Sequence, residues 1–301
     1  MQVDIAQFIE YLTSEKDSSK NTLAAYSTDL TQFVDFLKGS VSNQGDTIKI
    51  DWSTVTNDTM QGYLKYLEGN DYASSTIARK IAAVKSYFHY VIMSGILDND
   101  PTSKLNAPKV EKSTPQLIGH KDIALLLAAP TSKYNPTAQR DKALLEVLYS
   151  TGLRVTELIN LNVDKYNSNQ KTITCGIRHE RTIPIHVDAA AHLDKYIADG
   201  RTKLWNSSDE HAMFLNHRGQ RLTRQGLWLI IKRYAKQSGI NKKITPHSLR
   251  HSFAAHLLDS GVEVEDIQTR LGHANLSTTQ TYRRSISDMS EVIVDGKVIK
   301  K

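Results

Sequence analysis

A single cysteine, Cys175, stands in 301 residues. One thiol cannot form an intramolecular disulfide and makes a cysteine-based metal site untenable, so the chain suits a reducing cytoplasm. No stretch of about 18 consecutive apolar residues occurs, so neither a membrane span nor a membrane anchor is expected. The opening residues MQVDIAQFIEYL contain acids where a secretory leader is basic and then apolar; they read as an amphipathic helix. Internal repeats and low-complexity tracts are lacking too. Positive charge is scarce at first: residues 1–110 hold 10 Lys and Arg against 13 Asp and Glu, a balance of −3. The remaining residues carry +9, within an overall +6, so the second part has the charge expected of a protein that meets a polyanion.

The length fits about two domains, and 40 % apolar residues suffice for ordinary cores. Helical periodicity runs through residues 3–14 and 21–38, the latter with Leu23, Tyr26, Leu30, Phe33, Val34 and Leu37 on one stripe. Residues 40–52 are polar and read as a loop. Asn57 or Asp58 starts a helix that ends before Gly69, and Ser74 and Ser75 cap a long one from Thr76 to Met93. Residues 1–98 therefore form a four-helix domain. Three of the seven prolines fall in residues 99–116, which read as a linker. A second domain, 117–301, has helices at 120–129, 137–151, 155–160, 187–199 and 222–238. A β-hairpin is expected over 171–186, bending near Gly176, and a short strand over 212–216. The class is mainly α with a small antiparallel sheet.

The stretch TPHSLRHSFAAHLLDSGVEVEDIQTRLGHANLSTTQTY, Thr245 to Tyr282, concentrates the chemistry. Thr245 reads as an N-cap and Pro246 as the first helical residue. His247 and Arg250 then share the first turn, where free N–H groups and the helix dipole favour an anion. A second short helix stops at Gly272, His273 follows at once, and Ser277 or Thr278 caps the turn that carries Tyr282. Upstream, Gly152 ends an apolar helix and Arg154 opens the next. Two arginines, two histidines and a tyrosine suit attack on a phosphodiester: guanidiniums fork onto non-bridging oxygens, imidazoles move protons, and the phenol is the nucleophile. Arg154 also has a plainer partner in Glu157, three residues on. His247, His251, His256 and His273 could be read as zinc ligands, but no HExxH or carboxylate ligand accompanies them, so no metal is expected.

In TGLRVTEL, HSLRH, LGHANLSTTQTY and the hairpin ending ERTIPI, with KNTLAAYSTDL and SSTIARKIAAVKSYFHYVI earlier, the chain resembles the tyrosine recombinases, most closely the Xer group. The resemblance implies an N-terminal core-binding domain of SAM-like fold followed by a catalytic domain. It implies site-specific cutting and rejoining of DNA through a 3′-phosphotyrosyl link and a free 5′-hydroxyl, with no cofactor. Arg154, His247, Arg250, His273 and Tyr282 match the family's catalytic set. The family also places a lysine at the hairpin tip to protonate the leaving oxygen. Here that position is Gly176, which leaves Lys171 as a candidate only if the register differs.

DNA contacts are expected at the helix start with Ser19, Lys20, Asn21 and Thr22. Others are expected at Ser74, Ser75, Thr76, Arg79, Lys80 and Lys85, at Arg178 near the hairpin tip, and at Thr223, Arg224 and Gln225. Implied partners are double-stranded DNA with paired inverted half-sites, three further protomers in a tetrameric synapse, and an activating protein. The implied setting is a cytoplasmic, nucleoid-associated protein serving chromosome dimer resolution or a mobile element. A type IB topoisomerase-like enzyme and a catalytically weak accessory protein remain open as alternatives. The C-terminal tail, with Val292, Ile293, Val294, Val298 and Ile299, is expected to dock on a neighbouring protomer.

Overall fold

Caps and apolar stripes divide the chain into the elements seen in a computed structural model. It describes residues 5–16, 18–41, 51–110, 117–131, 134–176, 180–206, 211–272, 291–294 and 297–300. Two compact units form, Met1–Ser113 and Thr114–Lys301.

The first unit packs α1 (Ile5–Ser14), α2 (Lys20–Val41), α3 (Asn57–Gly69) and α4 (Ser74–Met93) around an aromatic core. Phe8, Phe33, Tyr63, Tyr87 and Phe88 are buried there in edge-on and tilted contacts, which suit the ring quadrupole. Thr56, one residue before the expected start, caps α3 in a reciprocal box with Thr59. Ser74 and Ser75 lie inside α4 instead of capping it, and Ala73 makes no side-chain cap. Leu105 is buried in this same core, so the first residues after position 98 pack onto the first unit.

The second unit is built around α6 (Pro136–Thr151), which is buried on most of its circumference. Asn135 caps it through its side-chain oxygen, and Pro136 supplies the first helical position. Around it lie α5 (His120–Ala128), α7 (Val155–Ile159) and α8 (Val187–Lys195). A π-turn, Tyr196–Gly200, joins α8 to α9 (Arg201–Leu204), and α10 (Arg224–Gln237), α11 (Pro246–Asp259) and α12 (Val264–Leu271) follow. One antiparallel sheet has the order β1 (Tyr166–Asn167), β2 (Thr172–Cys175), β3 (Arg181–Pro184). Its register runs from Thr172 opposite Pro184 to Cys175 opposite Arg181, so Ile173, Cys175 and Ile183 face the core.

The expected strand at 212–216 is not a strand. The segment makes only single bridges, Asn162 with Ala212 and Leu215 with Arg221. Its backbone bonds partly to side chains instead: Tyr196 Oη accepts from the Leu215 N–H, and Arg140 donates to the Leu215 carbonyl. A second antiparallel pair, β4 (Glu291–Val294) with β5 (Lys297–Lys300), lies in the C-terminal tail. No helix among the described residues is long and apolar enough to cross a membrane.

Gly152 ends α6 in the left-handed region, at φ 60°, and its N–H closes onto the Leu148 carbonyl. A Cβ there would come within 2.4 Å of the Phe253 ring and 2.8 Å of Leu271. Gly152→Ala therefore combines backbone strain with overpacking, and is expected to cost at least about 2 kcal/mol, read from the urea unfolding midpoint.

Candidate active site

Thr245 caps α11 as its sequence suggests. Its Oγ1 accepts from the Ser248 N–H at 3.0 Å, and Ser248 Oγ accepts from the Thr245 N–H at 2.8 Å. Pro246 takes the first helical position, His247 is exposed, and Arg250, one turn in, is only 6 % exposed. A buried guanidinium needs acceptors. Arg250 finds main-chain ones: Nη1 donates to the Gly152 carbonyl, and Nη2 to the Leu271 carbonyl at 2.7 Å.

Arg154 occupies the N-cap of α7 without a capping oxygen of its own. Glu157 supplies it, accepting from the Arg154 N–H at 2.8 Å and from Nη1 at 3.2 Å. The local ion pair anticipated from the sequence thus exists. It leaves the guanidinium 42 % exposed, with Nη2 donating to the Gly272 carbonyl at 2.5 Å. Arg154 and Arg250 therefore meet on neighbouring carbonyls at the C-terminal end of α12. Gly272 then turns the chain in the left-handed region, φ 63°, directly before His273.

Sequence reasoning missed a third arginine. Arg181 grips the Glu157 carboxylate in a fork, 2.7 and 3.1 Å, and its Nε donates to the Arg270 carbonyl at 2.8 Å. Three guanidiniums thus bind three consecutive carbonyls, 270 to 272, at the negative end of a helix. The missed signal was alternation. Arg181 is two residues before Ile183 on β3, hence turned inward, and an inward arginine demands an anion. Burial alone would raise the Glu157 carboxyl. The hydrogen bonds from Arg181 and from the Arg154 N–H, with both guanidinium charges, hold it below the usual carboxylate range instead. Burial pushes the neighbouring Cys175 thiol up to about 11, so it stays protonated and unreactive at neutral pH.

The hairpin register does not bring Lys171 to the tip. Lys171 precedes β2, in the left-handed region at φ 51°, and its carbonyl accepts from Ile185 at the hairpin base. Cys175 lies four residues further along the strand, about 13 Å at strand rise. Gly176, beyond Cys175, has φ 116°, a conformation that suits glycine. Arg178, His273 and Tyr282 lie outside the described residues.

Of the expected DNA contacts, Ser19, Lys20 and Asn21 are exposed at the start of α2. Ser19 Oγ caps the helix by accepting from the Thr22 N–H at 3.1 Å. Ser74, Ser75 and Arg79 are exposed, with Thr76 and Lys85 half-buried. Lys80 departs from expectation, because it is 6 % exposed and turned into the first unit. One turn beyond Ile77 and beside Ile81, it shares the core-facing stripe of α4, and its Nζ meets the buried Asp29 at 3.0 Å. Arg79 pairs with the same carboxylate from the outside. Thr223 caps α10 through the Gly226 N–H at 3.0 Å, leaving Arg224 and Gln225 exposed in its first turn.

His256, one of the histidines weighed as a metal ligand, has other company. Its Nδ1 is 2.7 Å from the Tyr149 hydroxyl, and His120 stacks on it with ring centroids 3.7 Å apart. Both line a 680 Å³ cavity floored by Leu127, Phe253 and Leu257. Among the described residues no group of three or more His, Cys, Asp or Glu is placed to hold a metal ion.

Comparison with known proteins now has a geometry to explain. The family described as "Phage integrase family" matches residues 116–288, and "Phage integrase, N-terminal SAM-like domain" matches residues 5–95. The chain belongs to the phage integrase family. Among curated members of that family, a tyrosine recombinase XerC of Roseiflexus sp. (strain RS-1) is 42 % identical over 286 residues, 94 % of this chain and 89 % of that one. A tyrosine recombinase XerD of Listeria innocua serovar 6a is 39 % identical over 282 residues, 92 % of each. In fold, the chain is similar to the XerH site-specific recombinase in a post-cleavage complex with a palindromic difH substrate. There the TM-score is 0.74, with 17 % identity over 96 % of this chain and 84 % of that one. The crystal structure of XerA recombinase matches with TM-score 0.52 and 25 % identity over 96 % and 98 %. The chain is thus a tyrosine recombinase, an enzyme that cuts and rejoins DNA strands.

Several groups around the site contribute to its acid sensitivity, His256 and Glu157 among them. Burial and the neighbouring His120 lower His256 to about 4. Between an unfolded value of about 6.5 and that lower value, the unfolded chain binds the proton first. Stability is therefore full above pH 6.5 and declines as pH falls toward 4. Glu157, also depressed, adds its loss below the usual carboxylate range. His256→Gln is expected to make the upper part of this decline shallower, seen as unfolding midpoints that drop less between pH 6.5 and 5; His251 and His192, also lowered by burial, carry the rest.

Proposed function

We propose that this chain is a Xer-type site-specific recombinase that breaks DNA by moving a phosphodiester onto Tyr282. The observation that supports it most directly is the meeting of Arg154 and Arg250 at the end of α12, one residue before His273 and ten before Tyr282. The Tyr282 oxygen attacks phosphorus and forms the 3′-phosphotyrosyl bond. The bond to the 5′-oxygen breaks, and the phenol's proton passes to a nearby base. Charge accumulates on the non-bridging oxygens, and fixed guanidiniums stabilise it more than they stabilise the ground state. His247 and His273 hydrogen-bond the same phosphate or carry the tyrosine's proton. Reversal by a 5′-hydroxyl from another strand reseals the DNA. The link conserves the bond energy, so neither ATP nor a metal is required.

Double-stranded DNA with paired inverted half-sites is the substrate in this reading. Four protomers assemble on it, with an activating protein as a further partner. The chain acts in the cytoplasm, in chromosome dimer resolution or for a mobile element. Contacts come from Lys20, Asn21, Thr22, Ser74, Ser75, Thr76, Arg79, Lys85, Arg178, Thr223, Arg224 and Gln225. Lys80, buried on Asp29, is withdrawn from that set. The β4–β5 segment is the part offered to a neighbouring protomer.

The test of the nucleophile is Tyr282→Phe, which should bind its site yet form no denaturant-resistant adduct with DNA. An adduct from that variant would remove Tyr282 from the role. Arg154→Ala and Arg250→Ala should each slow cleavage by at least roughly 10²-fold, the scale of losing one donor to the transition state.

Gly176 favours a second feature, weak protonation of the leaving 5′-oxygen. Lys171 is at the hairpin base, and an arginine such as Arg178 is a poor acid. A substrate with sulfur in place of the bridging 5′-oxygen should then be cleaved much faster than ordinary DNA, because a thiolate leaves unprotonated. Equal rates would point to an acid supplied from elsewhere.

A further inference from the structure

Arg181 is a largely buried side chain on the inward face of β3, and its guanidinium is spent on protein acceptors. It is 14 % exposed, and three of its donors are committed to Glu157 and to the Arg270 carbonyl. We propose that Arg181 is a positioning residue for strand cleavage, fixing the Glu157 carboxylate that orients Arg154 and tying both to the last turn of α12. The proposal rests on the role given above to Arg154.

Glu157 is 7 % exposed and accepts four hydrogen bonds. Two come from Arg181 as a planar fork, the arrangement with the sharpest directional demand. One comes from the Arg154 N–H. The contact with the Arg154 guanidinium is single and the longest of the four, at 3.2 Å. Arg181 and the N–H therefore hold the carboxylate, and Arg154 leans on it with one edge only, which keeps the rest of its fork available. Without Arg181, the nearest cation to a buried carboxylate is Arg154 itself, three residues away on the same short helix. Electroneutrality then draws Arg154 into a full fork on Glu157 and turns its donors from the phosphate. Arg181 prevents this by saturating the carboxylate first.

The same side chain sets the second anchor of Arg154. A Cβ on Gly272 would stand 3.0 Å from the Arg181 guanidinium carbon, so the Gly272 backbone lies directly against it. Its Nε holds the Arg270 carbonyl two residues earlier. The carbonyl that Arg154 uses and the exit of the chain toward His273 are thus seated on Arg181. A side chain committed to protein acceptors thus governs the aim of one that turns to the phosphate.

The experiment is single-turnover cleavage of a suicide half-site at saturating protein, with full-length Arg181→Gln, Arg181→Lys, Arg154→Ala and the double variant Arg154→Ala/Arg181→Gln. Half-site Kd is measured in parallel. Arg181→Gln should lower the cleavage rate by roughly 10²-fold, the effect of misplacing a catalytic group by about an ångström, with Kd changed by less than about threefold. With Arg154 already removed, Arg181→Gln should cost less than about threefold more, because there is nothing left to aim. Arg181→Lys keeps the charge but not the fork and should fall between; it decides the matter if the glutamine variant does not fold, and a wild-type rate for it overturns the proposal. A loss confined to Kd would make Arg181 a direct phosphate contact and overturn it as well. So would a full, multiplicative loss in the Arg154→Ala background. Undiminished cleavage by Arg154→Ala alone would instead overturn the reading of the site on which the proposal stands.

Discussion

Three arginines crowd the end of α12 with one carboxylate among them, and that imbalance governs the catalytic unit. Like charges this close need acceptors, or the cluster would fly apart or never fold. The chain supplies Glu157 and the carbonyls of residues 152, 270, 271 and 272. Those carbonyls are in place because α6 stops at Gly152, α12 stops at Gly272, and both stops use the left-handed conformation. One carboxylate against three guanidiniums leaves an excess of positive charge at this helix end.

The consequences reach through the unit. α6 must be rigid to present Gly152, and it is the most enclosed helix of the second unit. Its Asp141, fully buried, is held by Arg140, Arg233 and the Tyr234 hydroxyl, which ties α6 to α10. The hairpin must deliver Arg181 at one register only. A slip by one residue would turn Arg181 outward and leave Glu157 with Arg154 alone.

Much of this was legible in the sequence, where local physics decides. Thr245-Pro246 and Gly152 are capping signals that act within a few residues, and the helices they bound lie where periodicity put them. The family resemblance rested on order and spacing and put Arg154 and Arg250 in one set, and the two reach neighbouring carbonyls at the end of α12. What escaped was settled by distant partners. Lys80 looked like a surface cation until α2 brought Asp29 against it. Residues 212–216 looked like a strand, but their backbone makes only single bridges, and Leu215 bonds to Tyr196 and Arg140. Arg181 looked like one more charge near a turn, and only the fold shows that Glu157 waits behind it.

Arginines anchored on carbonyls have an odd genetic signature. Every residue brings a carbonyl, so half-buried position 270 can change identity and its acceptor stays where it is, whereas buried Leu271 is also held by its packing. What cannot change is the count. Adding or deleting one residue in α12 would rotate its last turn by about 100° and carry all three oxygens away from their guanidiniums together. The oxygens themselves therefore constrain length more than letters, and natural variation should be sought at position 270, never in gaps.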